Sequence, residues 1–343
     1  MPARLHSIAE IIAEINSVNR RYPMSQKPIF LVSTGRCGST FLSNAINSHP
    51  RLISIAELFE PIIPVPFLDT DHIISGQEFF DMISVMTMKE RVQIWRNSKT
   101  KECLFLPEQD KDVSLFFCYA LPTLTSNPHA LHEKAKKDIV LFTPDTPANH
   151  FIALCEYFRK ACNKEIWIER TGGSLPHIRD IIRCWPNAKI IHFYRDGRQT
   201  ACSMQRHPIF RMFVMKRLGM EWDPDFIPPI EECGAMWRDW EVNAVTALND
   251  ASAASIERHA ISYEDFFTDP QKVLEDLLAF VRDEDTMAEE MTEEEQAWMQ
   301  KVISGIRTPR NHWDSLSAPE QERLYTSCRG GLDALGYTGE VTV

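Results

Sequence analysis

Four short apolar runs, Ile29–Ser33, Leu52–Ile55, Ile166–Ile168 and Lys189–Tyr194, alternate with helical patterns. That alternation predicts an α/β fold on a central parallel sheet. Each run is apolar at nearly consecutive positions, the mark of a strand covered on both faces, so the expected architecture has three layers. Composition agrees: 44% apolar and 25% charged residues is ordinary globular usage and excludes bulk disorder or coiled coil. A helix over Thr40–Ser48 follows the first strand, one over Pro176–Cys184 precedes the fourth, and one over Gly197–Gln205 follows it. Glu232–Leu248 aligns Met236, Trp237, Trp240, Ala244 and Leu248 on one core-facing side. Tyr263–Phe280 closes the pattern, with Pro270 at a helix start.

The remaining stretches elaborate this frame. Residues 60–164 carry Pro61, Pro64, Pro66, Pro107, Pro122, Pro128, Pro144 and Pro147 among many aromatics. They are expected to form a large insertion of helices and loops packed over one edge of the sheet. Leu5, Ile8, Ile12, Ile15 and Val18 recur at helical spacing, so 1–26 reads as an amphipathic helix lying on the domain. Residues 283–300 read as an acidic helix with a solvated face and 301–343 as a C-terminal segment, all within one domain spanning 1–343.

Net charge is −11, but residues 283–295 hold eight carboxylates and no base; the rest of the chain carries only −3, which leaves room for local basic sites. The acidic balance argues against a nucleic-acid-coating protein. No apolar run reaches about 18 residues, and Glu10 and Glu14 interrupt what would be a signal peptide's apolar core. Nine cysteines without a C-x-x-C pair suggest reduced thiols rather than a disulfide framework or zinc site. A cytoplasmic location is the expectation. His129-x-x-His132-Glu133 has helical spacing but no complementary ligand cluster, so no metal is expected.

Two segments carry anion-binding chemistry. The first strand runs into Thr34-Gly35-Arg36-Cys37-Gly38-Ser39-Thr40 and then a helix. Glycines let successive N–H groups converge, and the helix N-terminus adds partial positive charge. Ser39 and Thr40 add hydroxyls, and Arg36 can fork onto an oxyanion. Two residues separate Gly35 from Gly38 and no lysine follows, so this is not a Walker A loop. The second segment begins with Arg195 at the end of the fourth strand, the edge where open α/β sheets bind ligands, with Ser203 eight residues later. Alone, Arg195 would more often pair with Asp196 or another carboxylate.

Together, Thr34–Thr40 and Arg195–Ser203 resemble the two nucleotide-binding elements of the sulfotransferase superfamily. The resemblance covers roughly residues 28–337, including Trp185-Pro186-Asn187-Ala188-Lys189, Tyr263-Glu264-Asp265 with Asp269-Pro270, and His312-Trp313 beyond Arg307 and Arg310. Arg36 before the second glycine is similar to the Golgi-type, tyrosylprotein and bacterial branches; the cytosolic branch has lysine there. The resemblance implies a P-loop NTPase-like fold and 3′-phosphoadenosine 5′-phosphosulfate (PAPS) as co-substrate, leaving as adenosine 3′,5′-bisphosphate, with no metal. It also implies that Gly35, Arg36, Cys37, Gly38, Ser39 and Thr40 hold the 5′-phosphosulfate and that Arg195 and Ser203 hold the 3′-phosphate. Tyr263 and Arg310 are implied nucleotide contacts.

In-line sulfuryl transfer requires a base for the acceptor proton and cations around the transferring oxygens. Glu57 follows the second strand and lies 21 residues beyond Arg36, the spacing at which the similar tyrosylprotein enzymes carry their base, with His49-Pro50 between. It is read as general base, or else as a strut pairing with Arg36; Glu60 and His207 are its competitors. Arg170, 16 residues before Pro186, stands where related enzymes carry a lysine. Its guanidinium stabilises charge but does not donate a proton near neutrality; otherwise it pairs with Glu169 or Glu165. Thr171, Gly172, Gly173 and Ser174 read as a polar turn. Met204, Met212, Phe213, Met215, Met220 and Trp222 suit either an acceptor pocket or core.

The resulting expectation is a sulfotransferase acting on a hydroxyl or amine of a small molecule, with 60–164 forming much of the acceptor pocket. The alternatives are a P-loop nucleotide kinase, lacking its lysine here, and a non-catalytic bisphosphate-nucleotide binding protein.

Overall fold

The computed structural model describes residues 27–59, 66–84, 113–221, 223, 225–250, 256–282, 291–308 and 311–339. The expected helix at 1–26, Glu60, Trp222 and Arg310 lie outside the described residues. The centre is a parallel five-stranded sheet of order β2-β3-β1-β4-β5. Its strands are β1 (Ile29–Ser33), β2 (Leu52–Ala56), β3 (Ile166–Gly172), β4 (Lys189–Tyr194) and β5 (Glu257–Ser262). Every residue of β1 and β2 is buried, as the consecutive apolar runs require.

Two strands depart from expectation. β3 does not end at Ile168 but runs to Gly172, so Thr171 and Gly172 belong to the sheet rather than to a turn. β5 was not anticipated: its first residues alternate between half-buried and exposed because it forms the sheet edge, and parallel pairing with Lys189–Tyr194 secures it.

The helices are α1 (Ser39–Asn47), α2 (Gly76–Ile83), α3 (Leu115–Leu124), α4 (Pro128–Ile139), α5 (Pro147–Ala161), α6 (Ile178–Cys184), α7 (Gly197–Arg206), α8 (Pro208–Arg217), α9 (Ile230–Asp250), α10 (Asp265–Thr268), α11 (Pro270–Val281), α12 (Glu293–Gly305) and α13 (Ala318–Leu335). Local chemistry sets several starts. Thr146 and Asp269 cap α5 and α11, each with proline at the first helical position. Thr292 and Glu295 form a reciprocal capping box on α12.

The sheet divides the core. On one face Phe30, Val32, Ile53, Ile55, Trp167 and Ile190 pack against α2–α6 and the end of α9. The described part of 60–164 therefore covers a face of the sheet, not only an edge. On the other face Leu31, Ile168, Ile191, Phe193 and Ile261 meet α1, α11 and α12. A third cluster joins α7, α8, α9 and α13 around Met204, Trp237 and Cys328. Met204 and Met215 are buried, Met212 and Phe213 half-buried, and Met220 exposed. The acidic stretch needs a correction where it is described: Glu293 and Glu294 are exposed, but Glu295 is buried, bonded to Arg282 at 2.7 Å and 3.5 Å from His49. All eight described cysteines are free thiols. Among the described residues no helix is long and apolar enough to cross a membrane.

Candidate active site

Because all five strands are parallel, the segments following them, Thr34, Glu57, Gly173, Arg195 and Tyr263 onward, emerge at one rim of the sheet. β1 is central, so its loop lies between the ends of β3 and β4.

In that loop Gly35, Arg36 and Gly38 all have positive φ, at 72°, 57° and 93°. Such turns curl the backbone into a concavity of N–H groups, here continuing into Ser39 and Thr40 at the start of α1, ahead of the Phe41 N–H, which donates to the Gly38 carbonyl at 2.9 Å. Glycine is required sterically as well. A Cβ on Gly35 would lie 2.6 Å from Phe210 Cζ, and one on Gly38 2.4 Å from Tyr263 Cε2. Ser33 braces the turn, its Oγ accepting from the Gly35 N–H at 3.2 Å. Cys37 is fully buried, and burial raises its thiol pKa.

The two anion segments meet. Arg36 Nε donates to Ser203 Oγ at 3.2 Å. The Tyr263 ring that rests on Gly38 carries the Arg195 guanidinium on its face, 4.4 Å from the centroid. Tyr263 is anchored by its N–H to the Tyr194 carbonyl at 2.8 Å. Arg195 is 9% exposed, and its Nε is buried without a hydrogen-bond partner. Asp196 is not its counter-ion: that carboxylate caps α7 and takes the Arg198 guanidinium at 2.6 Å. Among the described residues Arg195 makes no ion pair, so the pairing expected of it in isolation does not form.

At the other flank, the Glu57 carboxylate pairs with Arg170 Nη1 and accepts from the Gly172 N–H at 3.1 Å. The register explains it, since Ala56 sits beside Arg170 across β2 and β3. Arg170 thus turns to Glu57 rather than to Glu169 or Glu165; its Nε is buried and unpartnered. A Cβ on Gly172 would lie 3.5 Å from Glu57 Oε1, 3.8 Å from Ser39 Oγ and 3.8 Å from Gly35 Cα, so the carboxylate stands beside the β1 loop. Glu57 itself has φ 60°, a left-handed conformation that side-chain-bearing residues rarely adopt.

His207, the competing base, is lowered to about 4 by burial and by Arg36 nearby, which keeps it neutral. The C-terminal segment reaches α7: Gln199 bonds Asn311 at 2.7 Å and accepts from the His312 N–H at 3.1 Å. His132 is buried against Glu133, and among the described residues no cluster of three His, Cys, Asp or Glu side chains could hold a metal. The sequence does not reveal the bonds made by Glu169, Thr171 and Glu264: Glu169 and Thr171 bond each other at 2.6 Å beneath the rim, and Glu264 takes the Asp196 N–H at 3.1 Å and the Tyr337 hydroxyl at 2.8 Å. The signal for Glu169 and Thr171 is polar residues following the apolar start of β3.

None of the curated proteins matches the chain. Solved structures similar to it include the sulfotransferase domain from the curacin biosynthetic pathway, at 16% identity, 92% of this chain, 99% of that chain and a TM-score of 0.47. Sulfotransferase STF9 from Mycobacterium avium is similar at 15% identity, 97% of this chain, 82% of that chain and a TM-score of 0.43. STF1 from Mycobacterium tuberculosis H37Rv is similar at 13% identity, 92% of this chain, 81% of that chain and a TM-score of 0.40. The model of the sulfotransferase family matches residues 28–286, which hold all five strands and both anion segments. The chain belongs to the sulfotransferase family.

Proposed function

We propose that the chain transfers the sulfuryl group of PAPS to a hydroxyl or amine of a small-molecule acceptor, releasing adenosine 3′,5′-bisphosphate. The observation that carries this reading is Arg195: a buried guanidinium with no carboxylate partner among the described residues, stacked on the ring that seals Gly38. A buried cation without a counter-ion is costly, and a phosphate supplies the missing charge. Arg195, with Ser203 nearby, is read as the 3′-phosphate site. Gly35, Arg36, Cys37, Gly38, Ser39 and Thr40 are read as the cradle for the 5′-phosphosulfate, and Tyr263 and Arg310 as further nucleotide contacts.

In the reaction, Glu57 takes the acceptor proton as the acceptor atom forms its bond to sulfur. The bond from sulfur to the bridging phosphate oxygen breaks, and its electron pair leaves with the bisphosphate. Arg170, Arg36 and the loop N–H groups neutralise charge developing on the sulfuryl and bridging oxygens. Arg170 keeps its proton throughout, so the leaving phosphate departs as an anion. The free thiols support a reducing, cytoplasmic setting, and the helices of 60–164 are the candidate acceptor wall.

Calorimetric titration with adenosine 3′,5′-bisphosphate and with ATP–magnesium tests the reading. Preference for the bisphosphate is expected, and preference for ATP–magnesium overturns it in favour of a kinase. With nucleotide bound, transfer of radiolabelled sulfate to at least one of a panel of alcohols, phenols and amines is expected. Failure across the panel favours a non-catalytic nucleotide-binding protein.

A further inference from the structure

We propose that Thr171 and Glu169 are positioning residues for Glu57, forming a buried clamp on β3 that grips the backbone of residues 57–59. The inference rests on the base role proposed for Glu57.

The chain leaves β2 at Ala56 and immediately enters the left-handed region at Glu57. Holding a residue with a side chain there is strained, and such strain persists only where the surroundings over-determine it. Here they do. The Glu57 N–H donates to the Arg170 carbonyl at 2.9 Å, and the Phe59 N–H donates to Thr171 Oγ1 at 2.9 Å. The intervening Leu58 N–H faces the Glu169 carboxylate and favours its charged form. Thr171 completes the chain by donating its own proton to Glu169 Oε1 at 2.6 Å.

Alternation along a strand gives each group its task. Residues 169 and 171 share one face of β3, while Arg170 projects from the other. The first two hold the turn's backbone, and Arg170, with the Gly172 N–H, holds the Glu57 carboxylate. One strand therefore fixes Glu57 at both its backbone and its side chain.

Glu169 is an expensive choice for packing alone. It is fully buried, its Oε2 has no hydrogen-bond partner, and burial pushes its carboxyl up to about 8. A leucine would satisfy the surrounding core. What the carboxyl adds is an acceptor for the Thr171 proton, which fixes the hydroxyl with a lone pair toward Phe59.

Thr171→Val removes the hydroxyl at nearly constant shape, and Thr171→Ser retains it. Two readouts on the full chain are hydrogen exchange at the amides of 57–59 and release of adenosine 3′,5′-bisphosphate from PAPS, with 4-nitrophenol and with water as acceptor probes. With Thr171→Val we expect exchange to rise and kcat to fall by about tenfold or more, as for a buried N–H left without an acceptor. The dissociation constant for adenosine 3′,5′-bisphosphate should stay within about twofold, because no phosphate contact is lost. Thr171→Ser should restore both. Native exchange in Thr171→Val overturns the clamp, as does faster exchange with unchanged kcat, or a dissociation constant that rises in step with the loss of turnover.

If Thr171→Val does not fold, Glu169→Gln, which keeps an acceptor, should exceed Glu169→Leu in turnover; equal rates overturn the proposal. Glu57→Gln separates the two readings. Wild-type turnover in that variant removes the base role itself, whereas an inactive Glu57→Gln beside a fully active Thr171→Val removes the clamp alone.

Discussion

Two arginines stand on the same rim in opposite circumstances. Arg170, at the end of β3, is neutralised by Glu57 within the protein, while Arg195, just beyond β4, lies on an aromatic face with no carboxylate partner among the described residues. A paired buried charge is a positioning device, because removing one partner strands the other. A buried guanidinium without an internal carboxylate suits an external anion instead. In the proposed reaction the β3 side holds the reacting group still and the β4 side grips the 3′-phosphate.

Removing the carboxylate proposed as base breaks the β3 side most directly. Glu57→Gln keeps the size and a hydrogen bond but cannot accept a proton. Sulfuryl transfer should fall by about 10²–10⁴, the usual contribution of a general base, with bisphosphate affinity unchanged by calorimetry. A parallel loss of affinity would make Glu57 a strut rather than a base.

The β4 side breaks in the complementary way. Arg195→Ala should weaken adenosine 3′,5′-bisphosphate binding by on the order of 2–4 kcal/mol, through loss of a charge-assisted contact in a partly buried site. Its thermal midpoint should hold or rise, since no internal ion pair is lost. Arg170→Ala should lower the midpoint by leaving Glu57 uncompensated. An unchanged dissociation constant for Arg195→Ala would remove that residue from the phosphate site.

A smaller effect sharpens the contact between the two sides. Gly38→Ala sets a methyl 2.4 Å from Tyr263 Cε2 at φ 93°. Either the ring or the loop must shift, at about 1–3 kcal/mol, and bisphosphate affinity should drop by roughly tenfold. Native affinity would mean that the Tyr263 shelf moves without consequence.

Legibility from sequence followed the same divide between local and distant. The runs IFLVS and KIIHFY announce buried parallel strands because both faces are covered, and the glycines at 35 and 38 announce a turn because only backbone freedom permits it. β5 was not legible, because its edge position leaves Arg258 and Ala260 exposed and breaks the apolar run. The partner of Glu57 was not legible either. Arg170 is 113 residues away and becomes a neighbour only because β3 inserts between β1 and β2. The left-handed turn at Glu57 depends on bonds to β3, and the raised pKa of Glu169 on its burial, neither of which a local pattern encodes.

The smallest effect is a slope. Burial raises Glu169 from 4.5 to about 8, so between those values the folded protein binds a proton that the unfolded chain has lost, and stability falls as pH rises. His49 and His207 act in the opposite sense: burial lowers both from 6.5 to about 4, so their contribution grows as pH rises toward 6.5 and is then complete. Above 6.5 Glu169 is left unopposed by these two, and each unit of pH should cost about 1.4 kcal/mol. His72, raised by its contact with Asp69, and His132, His150, His177 and His259, lowered by burial, are present in both proteins, so a difference measurement cancels them. Between pH 6.5 and 8.0 the urea midpoint of the wild-type chain should therefore drop relative to that of Glu169→Gln. Equal slopes would mean that Glu169 is already ionised in the folded protein, and the β3 side would then hold two carboxylates against one guanidinium.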